Sequence, residues 1–387
     1  MPSSFSRAAA ITGALFVVTE VVSENAASAQ QCSNPTMSTC INSDTLWPHA
    51  GPQRFVAVGG TETVTSGQVG FGLVATYLSR PILLNAPTPG VTGVTPDGTL
   101  QVGTSQYAVD DQVNANFLFA YGITDQLELD VAAPVTLVQN GAGTSSITGG
   151  RSLRDTAVRD MRFGLAYAIV PRARVAPDVA VEEGGKGRSW SLAARMIMTA
   201  PIGDNRDFAG ERTVVYAPSI SADYRVSRLF FGTEVGARIR PIAELAGARV
   251  GTQVTAALGA GVDILPQELL SFLAEGRVYS NLPEQRATSF TPSRTIAPAE
   301  WLAGLRSAPF LAGDISFYAG GGGPIPITDD PITVPRFRFV LGVSYAPLRR
   351  DSDRDTIPDR NDPCPRTKGV PGYERPGCAP LPGESTK

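Results

Sequence analysis

Long stretches of alternating apolar and polar residues recur through residues 67–347 of the chain. In "VNANFLFAYG", Val113 and Phe117 fall on one face, whereas Asn114 and Asn116 fall on the other. The stretches "QLELDVAAPVTLV", "WSLAARMIMT" and "RFRFVLGVSY" repeat this pattern. A period of two places successive side chains on opposite faces of a strand. The pattern therefore predicts an all-β protein whose strands have two chemically different faces.

Twelve such segments can be counted, and most of them are about 10–15 residues long, close to what a membrane strand requires. Strands of soluble proteins usually run for about 5–6 residues, whereas a tilted strand that crosses a membrane needs about 9–11. The length therefore favours an antiparallel up-and-down transmembrane β-barrel over a soluble sandwich. The segments begin near Gln68, Ala108, Gln126, Arg154, Ser189, Val214, Leu229, Gly251, Leu269, Pro298, Leu311 and Arg336.

The links between these segments alternate in length. The links after the second, sixth, eighth and tenth segments are short, namely "GITDQ", "RVSR", "ILPQE" and "SAPF". The links after the odd-numbered segments are longer and rich in Gly, Pro and Thr. Short turns at one end and long loops at the other are typical of outer-membrane barrels, whose short turns face the periplasm. The link after the fourth segment, "PRARVAPDVAVEEGGKGR", is an exception, because it is long where a short turn is expected.

The two faces of the predicted strands differ in charge. One face is aromatic and aliphatic, and the other carries charges of both signs. Alternation alone also fits a soluble sandwich, but a membrane barrel turns its apolar face to lipid and its polar face to the lumen. We expect the lumen charges to pair across neighbouring strands. The predicted lumen charges are Glu128, Asp130, Arg162, Arg195, Glu234, Arg238, Glu275, Arg277, Arg336 and Arg338.

The N-terminus has the pattern of an export signal. Arg7 precedes the apolar stretch "AAAITGALFVV", and "ASA" before Gln30 matches the small-residue cleavage pattern. Residues 1–29 are therefore predicted to be a signal peptide. Residues 30–66 are predicted to form a periplasmic N-terminal segment ahead of the barrel at residues 67–347.

The stretch "DSDRDTIPDRNDPCP" near the C-terminus has the spacing of a calcium loop. Calcium requires six to eight oxygen ligands, and clustered carboxylates repel one another unless a cation lies among them. Pro358, Pro363 and Pro365 exclude the flanking helices of an EF-hand. The ligand positions of a twelve-residue loop, whose seventh residue binds through its backbone carbonyl, are filled by Asp351, Asp353, Asp355, Ile357, Asp359 and Asp362.

This stretch resembles a thrombospondin type 3 repeat, with Thr356 at the position of the turn glycine. An exported barrel followed by such a repeat resembles the OmpA-like outer-membrane proteins of Gram-negative bacteria. In that family the repeats link the barrel to a periplasmic peptidoglycan-binding domain. The resemblance implies that the protein lies in the cell outer membrane and that residues 348–387 form a short calcium-binding periplasmic tail. It also implies that the wall-binding domain is missing, which leaves open a periplasmic protein partner for the tail.

Four cysteines fit an oxidising compartment. Cys32 and Cys40 are close in sequence, as are Cys364 and Cys378. Four cysteines allow three pairings. We expect the two local disulfides, Cys32 with Cys40 and Cys364 with Cys378.

The sequence predicts a non-enzymatic barrel, either structural or porin-like with a narrow pore for small solutes or ions, surrounded by outer-membrane lipid. Barrels of about eight strands are filled by side chains, and those of sixteen or more hold open channels. A barrel of twelve strands is therefore expected to have a lumen of intermediate width. A formal net charge of −3 gives no reason to expect a nucleic-acid partner. One alternative is a soluble secreted calcium-binding adhesion protein. The other is an outer-membrane lipid hydrolase, whose base would have to be the single histidine, His49.

Overall fold

The computed structural model contains fifteen β-strands and three short 3-10 helices in the part of the chain that it describes. No helix among these residues is long and apolar enough to cross a membrane. The described residues are 37–86, 104–146, 150–172, 189–246, 248–284, 295–328, 332–347, 362–369 and 377–379.

The strands are β1 (Val69–Ala86), β2 (Thr104–Gly122), β3 (Leu127–Asn140), β4 (Ala157–Val158), β5 (Met161–Val170), β6 (Trp190–Ala200), β7 (Tyr216–Val226), β8 (Leu229–Arg238), β9 (Ala243–Leu245), β10 (Ala248–Val250), β11 (Gln253–Leu265), β12 (Leu270–Asn281), β13 (Ala299–Phe310), β14 (Ile315–Pro324) and β15 (Phe337–Tyr345). The 3-10 helices are Asn205–Asp207, Pro266–Glu268 and Leu311–Gly313.

Twelve of these strands close into one antiparallel barrel. All strands except β4, β9 and β10 take part, each paired with the next barrel strand along the chain, and β15 returns to pair with β1. The closing register joins Phe71 to Tyr345 and Ser79 to Phe337. Closure pairs every strand edge, which is what strands need in order to cross an apolar layer. The predicted all-β, twelve-stranded antiparallel barrel is confirmed.

The predicted segments coincide with the barrel strands. The starts predicted near Gln68 and Gln126 lie one residue before β1 and β3, and the start at Leu229 is that of β8. The fourth prediction, near Arg154, is the least accurate, because the chain first forms the two-residue β4 against β3 and enters the barrel as β5 at Met161. The alternation therefore predicts which segments form strands, and its errors concern the residues at which those strands begin.

The two ends of the barrel differ. One end, the short-turn end, holds the two-residue turn between β7 and β8 and the single-turn helices after β11 and β13. The other end, the long-link end, holds β4, the β9–β10 hairpin and the longer links after β6, β12 and β14. The start of β1 and the end of β15 both lie at the short-turn end. Strand β5 also ends at the short-turn end, at Val170, and β6 begins there at Trp190, so the link between them is long, as its sequence indicated.

The outward-facing side chains of the barrel are large, apolar and exposed. Phe117, Leu258 and Trp301 are 52%, 67% and 48% exposed. Their neighbours along each strand face the lumen and are buried, and many of them are polar or charged. A soluble sandwich would bury the apolar face, so the arrangement is the one that transmembrane barrels have.

Residues 37–66, which we call the plug, lie inside the barrel. Met37 forms a β-bridge with Leu245 at the long-link end, and Ser66 forms one with the last residue of β2 at the short-turn end. The plug therefore passes through the whole lumen. The sequence predicts a periplasmic N-terminal segment at residues 30–66, whereas the structure places the described part of this segment, residues 37–66, in the lumen. Alternation reports which face of a strand is polar, but it does not report what fills the space in front of that face.

We expect Leu258→Arg to lower the free energy of unfolding in lipid vesicles by about 2–4 kcal/mol, the cost of an arginine at the bilayer midplane. Leu258 faces outward near the middle of β11. The measurement is a urea titration followed by tryptophan fluorescence. The control is Leu282→Arg, at an exposed leucine just beyond β12 at the long-link end. It should cost less than about 1 kcal/mol. Equal costs for the two variants would contradict the assignment of the outer surface to lipid.

Candidate functional site in the barrel lumen

Arg338 of β15 is fully buried, and it joins the plug to the wall. Its Nη1 donates to Asp44 Oδ1 at 2.7 Å. Its Nε and Nη2 donate to the two carboxylate oxygens of Glu300 at 3.1 and 3.2 Å. Glu300 also accepts a hydrogen bond from Arg277 on the neighbouring strand β12. Removing one partner from a buried charge network costs about 3–5 kcal/mol, so these contacts fix the plug firmly.

The Asp44 carboxylate has three further donors. Asn114 Nδ2 donates to Oδ2 at 2.9 Å, and Thr76 Oγ1 donates to the same oxygen at 3.3 Å. The backbone N–H of Leu46 donates to Oδ1 at 3.0 Å. Both oxygens of this buried carboxylate are thus hydrogen-bonded, as a buried charge requires.

Aromatic and carbonyl groups of the plug hold two more wall arginines. The guanidinium of Arg238 lies 3.9 Å from the ring centroid of Trp47, and that of Arg162 lies 5.4 Å from it. Such cation–π contacts strengthen when they are removed from water. Arg238 Nη2 and Tyr279 Oη both donate to the carbonyl oxygen of Thr45 at 3.0 Å. The plug therefore supplies acceptors to a layer of the wall that is rich in donors.

Deeper in the lumen, wall carboxylates accept hydrogen bonds from the backbone of the plug. This arrangement satisfies buried amides and buried carboxylates together, as buried polar groups require. The bonds run from Val56, Ala57 and Val58 N–H to Glu275 at 2.9, 2.6 and 3.0 Å, from Gly59 N–H to Glu234 at 2.7 Å and from Val64 N–H to Glu128 at 2.6 Å.

Near the short-turn end, the plug packs against glycines and pairs with charges. The Phe55 ring lies against Gly232 of β8 and Gly259 of β11, where a Cβ on either glycine would come within 2.7 Å of the ring. Arg54 donates to Asp263 at 3.4 Å and also to Glu268. The two glycines make room for the ring, so the wall is shaped to hold this part of the plug.

Nine of the ten predicted lumen charges face the lumen, and Arg336 does not. Arg336 lies in the link just before β15 with an exposed side chain, because the strand begins one residue later than the alternation suggested. The expected pairing across neighbouring strands is found for Arg277 and Glu300, which are register partners. Most of the other charges bind the plug instead.

Asp160 precedes β5 at the long-link end and ties neighbouring links together. Its carboxylate accepts hydrogen bonds from Gly203 N–H at 2.8 Å and Glu211 N–H at 2.7 Å. Burial raises the pKa of Asp160 to about 7. At neutral pH this group is partly protonated, so its negative charge is smaller than that of an ordinary aspartate.

His49, the candidate base of a lipid hydrolase, lies buried inside the barrel. Its Nε2 is 3.7 Å from Glu234 Oε2. The residue lines a cavity of about 50 Å³ between plug and wall, together with Trp47, Glu234 and Arg238. A second cavity of about 50 Å³ lies beside Arg306. Each has room for only a few water molecules. Lipid outside the barrel therefore has no access to His49 in this arrangement.

The predicted calcium loop lies mostly outside the described residues, which leave out Asp351, Asp353, Asp355, Ile357 and Asp359. Asp362, the last ligand position, is described and 8% exposed. Its Oδ1 accepts a hydrogen bond from Cys364 N–H at 2.8 Å. Its Oδ2 is buried without a hydrogen-bond partner in the described structure, which fits a cation ligand. No group of three metal-binding side chains occurs within the described residues.

The disulfide between Cys364 and Cys378 is confirmed, with sulfur atoms 2.03 Å apart. Gly377 beside it has a φ of +81°, in the left-handed region, and packs directly on the Asp362 carboxylate. Cys40 is also disulfide-bonded. The pairing predicted with Cys32 involves a residue outside the described part of the chain.

The chain is similar to known proteins in structure, and comparison of its sequence finds no match. No family model matches the chain, and no curated protein matches it. The COG4313 outer membrane channel from Pseudomonas putida F1 is similar with a TM-score of 0.47 and 13% identity, over 74% of this chain and 98% of that one. The NanC porin is similar with a TM-score of 0.40 and 10% identity, over 71% of this chain and 98% of that one. A Pseudomonas aeruginosa FadL homologue is similar with a TM-score of 0.39 and 9% identity, over 78% of this chain and 99% of that one.

We expect Glu275→Gln to loosen the plug, because an amide cannot accept hydrogen bonds with both of its terminal atoms. Leaving buried N–H donors unsatisfied costs about 1–3 kcal/mol. The amides of Val56, Ala57 and Val58 should therefore exchange with solvent deuterium about tenfold faster or more. Mass spectrometry of the intact barrel in detergent measures this. Glu284→Gln, at an exposed glutamate beyond β12, is the control. Unchanged protection in Glu275→Gln would contradict the role given to this carboxylate.

Proposed function

We propose that this protein is a porin-like outer-membrane β-barrel whose narrow solute pathway is closed, in this arrangement, by its own plug. The observation that carries the proposal is that a separate segment fills the lumen, although twelve strands with polar inner faces surround it. Barrels of about eight strands are filled by the side chains of their own walls. Here the wall charges bind a segment joined to the barrel at one end, so its departure would leave a hydrated, charge-lined passage.

The outer membrane of a Gram-negative bacterium is the proposed location. The exposed apolar belt supports contact with lipid, and the N-terminal pattern "AAAITGALFVV" followed by "ASA" supports export. Short turns face the periplasm in such barrels. Since β15 ends at the short-turn end, the tail that follows would emerge into the periplasm. Small solutes or ions are the proposed cargo, and no catalytic role is proposed.

Calcium binding by the tail is part of the same proposal. The ladder from Asp351 to Asp362 supplies oxygen ligands at the required spacing. The buried, unpartnered Oδ2 of Asp362 and the adjacent disulfide support a fixed end to this loop. A calcium-stiffened tail would hold a fixed distance between the barrel and a periplasmic protein partner.

Removing residues 30–60 while keeping the signal peptide leaves only residues 61–66 of the plug. This variant, which we call the plug-free barrel, should conduct in steps, whereas the full-length protein should stay mostly closed. The physical reason is that, among the described residues, the two lumen cavities beside His49 and Arg306 each have a volume of only about 50 Å³. Planar bilayer recordings measure the conductance. A shift in mobility between boiled and unboiled gel samples shows that each variant has folded. A folded, plug-free barrel without conductance would refute the pore.

The full-length protein in detergent should bind calcium with a dissociation constant of about 10⁻⁴–10⁻³ M, as extracellular calcium modules do. The double variant Asp353→Asn, Asp355→Asn should lose this binding, because two charged ligands become neutral. Isothermal titration calorimetry measures both proteins. Asp155→Asn, at an exposed aspartate ahead of β4, is the control and should bind like the wild type. Equal binding by the double variant would show that the ladder is not the site.

A further inference from the structure

The wall groups that hold Asp44 form a compact site on three neighbouring strands. Thr76 lies on β1, Asn114 on β2 and Arg338 on β15, and β1 pairs with both of the others. All three are buried, at 1%, 0% and 0% exposed. Their donors converge on one carboxylate from the plug, at 3.3, 2.9 and 2.7 Å. The site belongs to the wall, and the plug only occupies it.

The surroundings of this site carry an excess of positive charge. Arg338 and Arg277 share a single carboxylate, that of Glu300. Arg240 is matched by Glu211, whereas the partners of Arg162 and Arg238 within the described residues are carbonyl, amide and aromatic groups. Among the described residues, six buried arginines of this layer stand against five buried carboxylates, namely Arg159, Arg162, Arg238, Arg240, Arg277 and Arg338 against Asp44, Asp160, Glu211, Glu275 and Glu300. Loss of Asp44 would increase the imbalance, so the layer attracts anions.

The donors fit a carboxylate better than a phosphate. Two of the three nitrogens of Arg338 are taken by Glu300, so Nη1 is the one that it offers. Together with one N–H of Asn114 and one O–H of Thr76, the wall offers three hydrogen bonds. Three donors match the two oxygens of a singly charged carboxylate. A phosphate group, with more oxygens and more charge, would be left partly unsatisfied and costly to bury.

We propose that Thr76, Asn114 and Arg338 form a binding site for the carboxylate group of a solute, and that Asp44 is an internal stand-in for it. The proposal rests on the pore described above and names its cargo as organic anions that carry a carboxylate. Arg338 is the second residue of β15, which begins at the long-link end, so a solute that enters from outside reaches this layer early. A bound solute carboxylate excludes Asp44 and thereby removes one of the buried contacts that hold the plug.

Competition requires a high solute concentration. Asp44 is tethered to the barrel, and a tethered group acts at an effective concentration of the order of millimolar or more. A free carboxylate must exceed this concentration before it displaces Asp44. Acetate is the simplest probe, because it is the side chain of aspartate without its backbone.

The first test uses the full-length protein and does not depend on conductance. About 100 mM sodium acetate, well above a millimolar effective concentration, should speed deuterium exchange of the plug amides compared with sodium chloride at equal ionic strength. The half-effect concentration should fall about fivefold or more in Asp44→Asn, because this variant weakens the internal competitor and leaves the wall donors intact. The response should vanish in Arg338→Gln. The matched control is Arg336→Gln, at an exposed arginine two residues away, which should respond like the wild type. Exchange that acetate leaves unchanged in the wild type would overturn the proposal.

The second test uses the plug-free barrel in planar bilayers. Under a sodium acetate gradient its reversal potential should show a preference for acetate over sodium, and Arg338→Gln in the same background should reduce that preference. Conductance without anion preference would overturn the carboxylate site but leave the pore intact. A folded barrel that does not conduct would refute the pore, and the exchange experiment would then decide alone whether the site binds acetate.

Discussion

Charges buried in the lumen need partners, and the rest of the structure follows from this need. The guanidinium of Arg338 illustrates it, because it is fully buried and is bound by carboxylates from both the plug and the wall. An unpaired ion in such a place costs several kcal/mol. Twelve strands with polar inner faces bring many such groups together. A segment that offers carboxylates, carbonyls and backbone amides along its length can satisfy them without another strand.

Water can satisfy the same groups, which is why a plugged barrel is suited to act as a channel. Wall residues such as Glu275 and Arg238 hold the plug through hydrogen bonds that water can replace once the lumen is open. The closed and the open lumen are then both compatible with the charges of the wall. Apolar packing inside the lumen, such as that of Phe55 against two glycines, adds to the closed state. A ligand at the Asp44 site would shift the balance between the closed and the open lumen.

Much of the barrel could be predicted from local patterns, and the exceptions have local causes. Strand β8 begins at the predicted Leu229, since alternation and a two-residue turn mark it without ambiguity. The alternation of β15, continued backwards, predicts that Arg336 faces the lumen, yet the strand starts one residue later. Strand ends depend on hydrogen bonds to neighbours, which alternation does not contain. The same holds for β4, which pairs with β3 through only two residues.

By itself, the sequence determined the period of two, the number of strands, the polarity of each face and the local cysteine pair at Cys364 and Cys378. These features depend on residues that are close together along the chain. Only the tertiary structure decided that the plug lies in the lumen. Asp44 meets Arg338 across a separation of 294 residues, and no local pattern records such a contact. The physical reason is that a lumen exists only after the barrel has closed, so what fills it is settled by the fold as a whole.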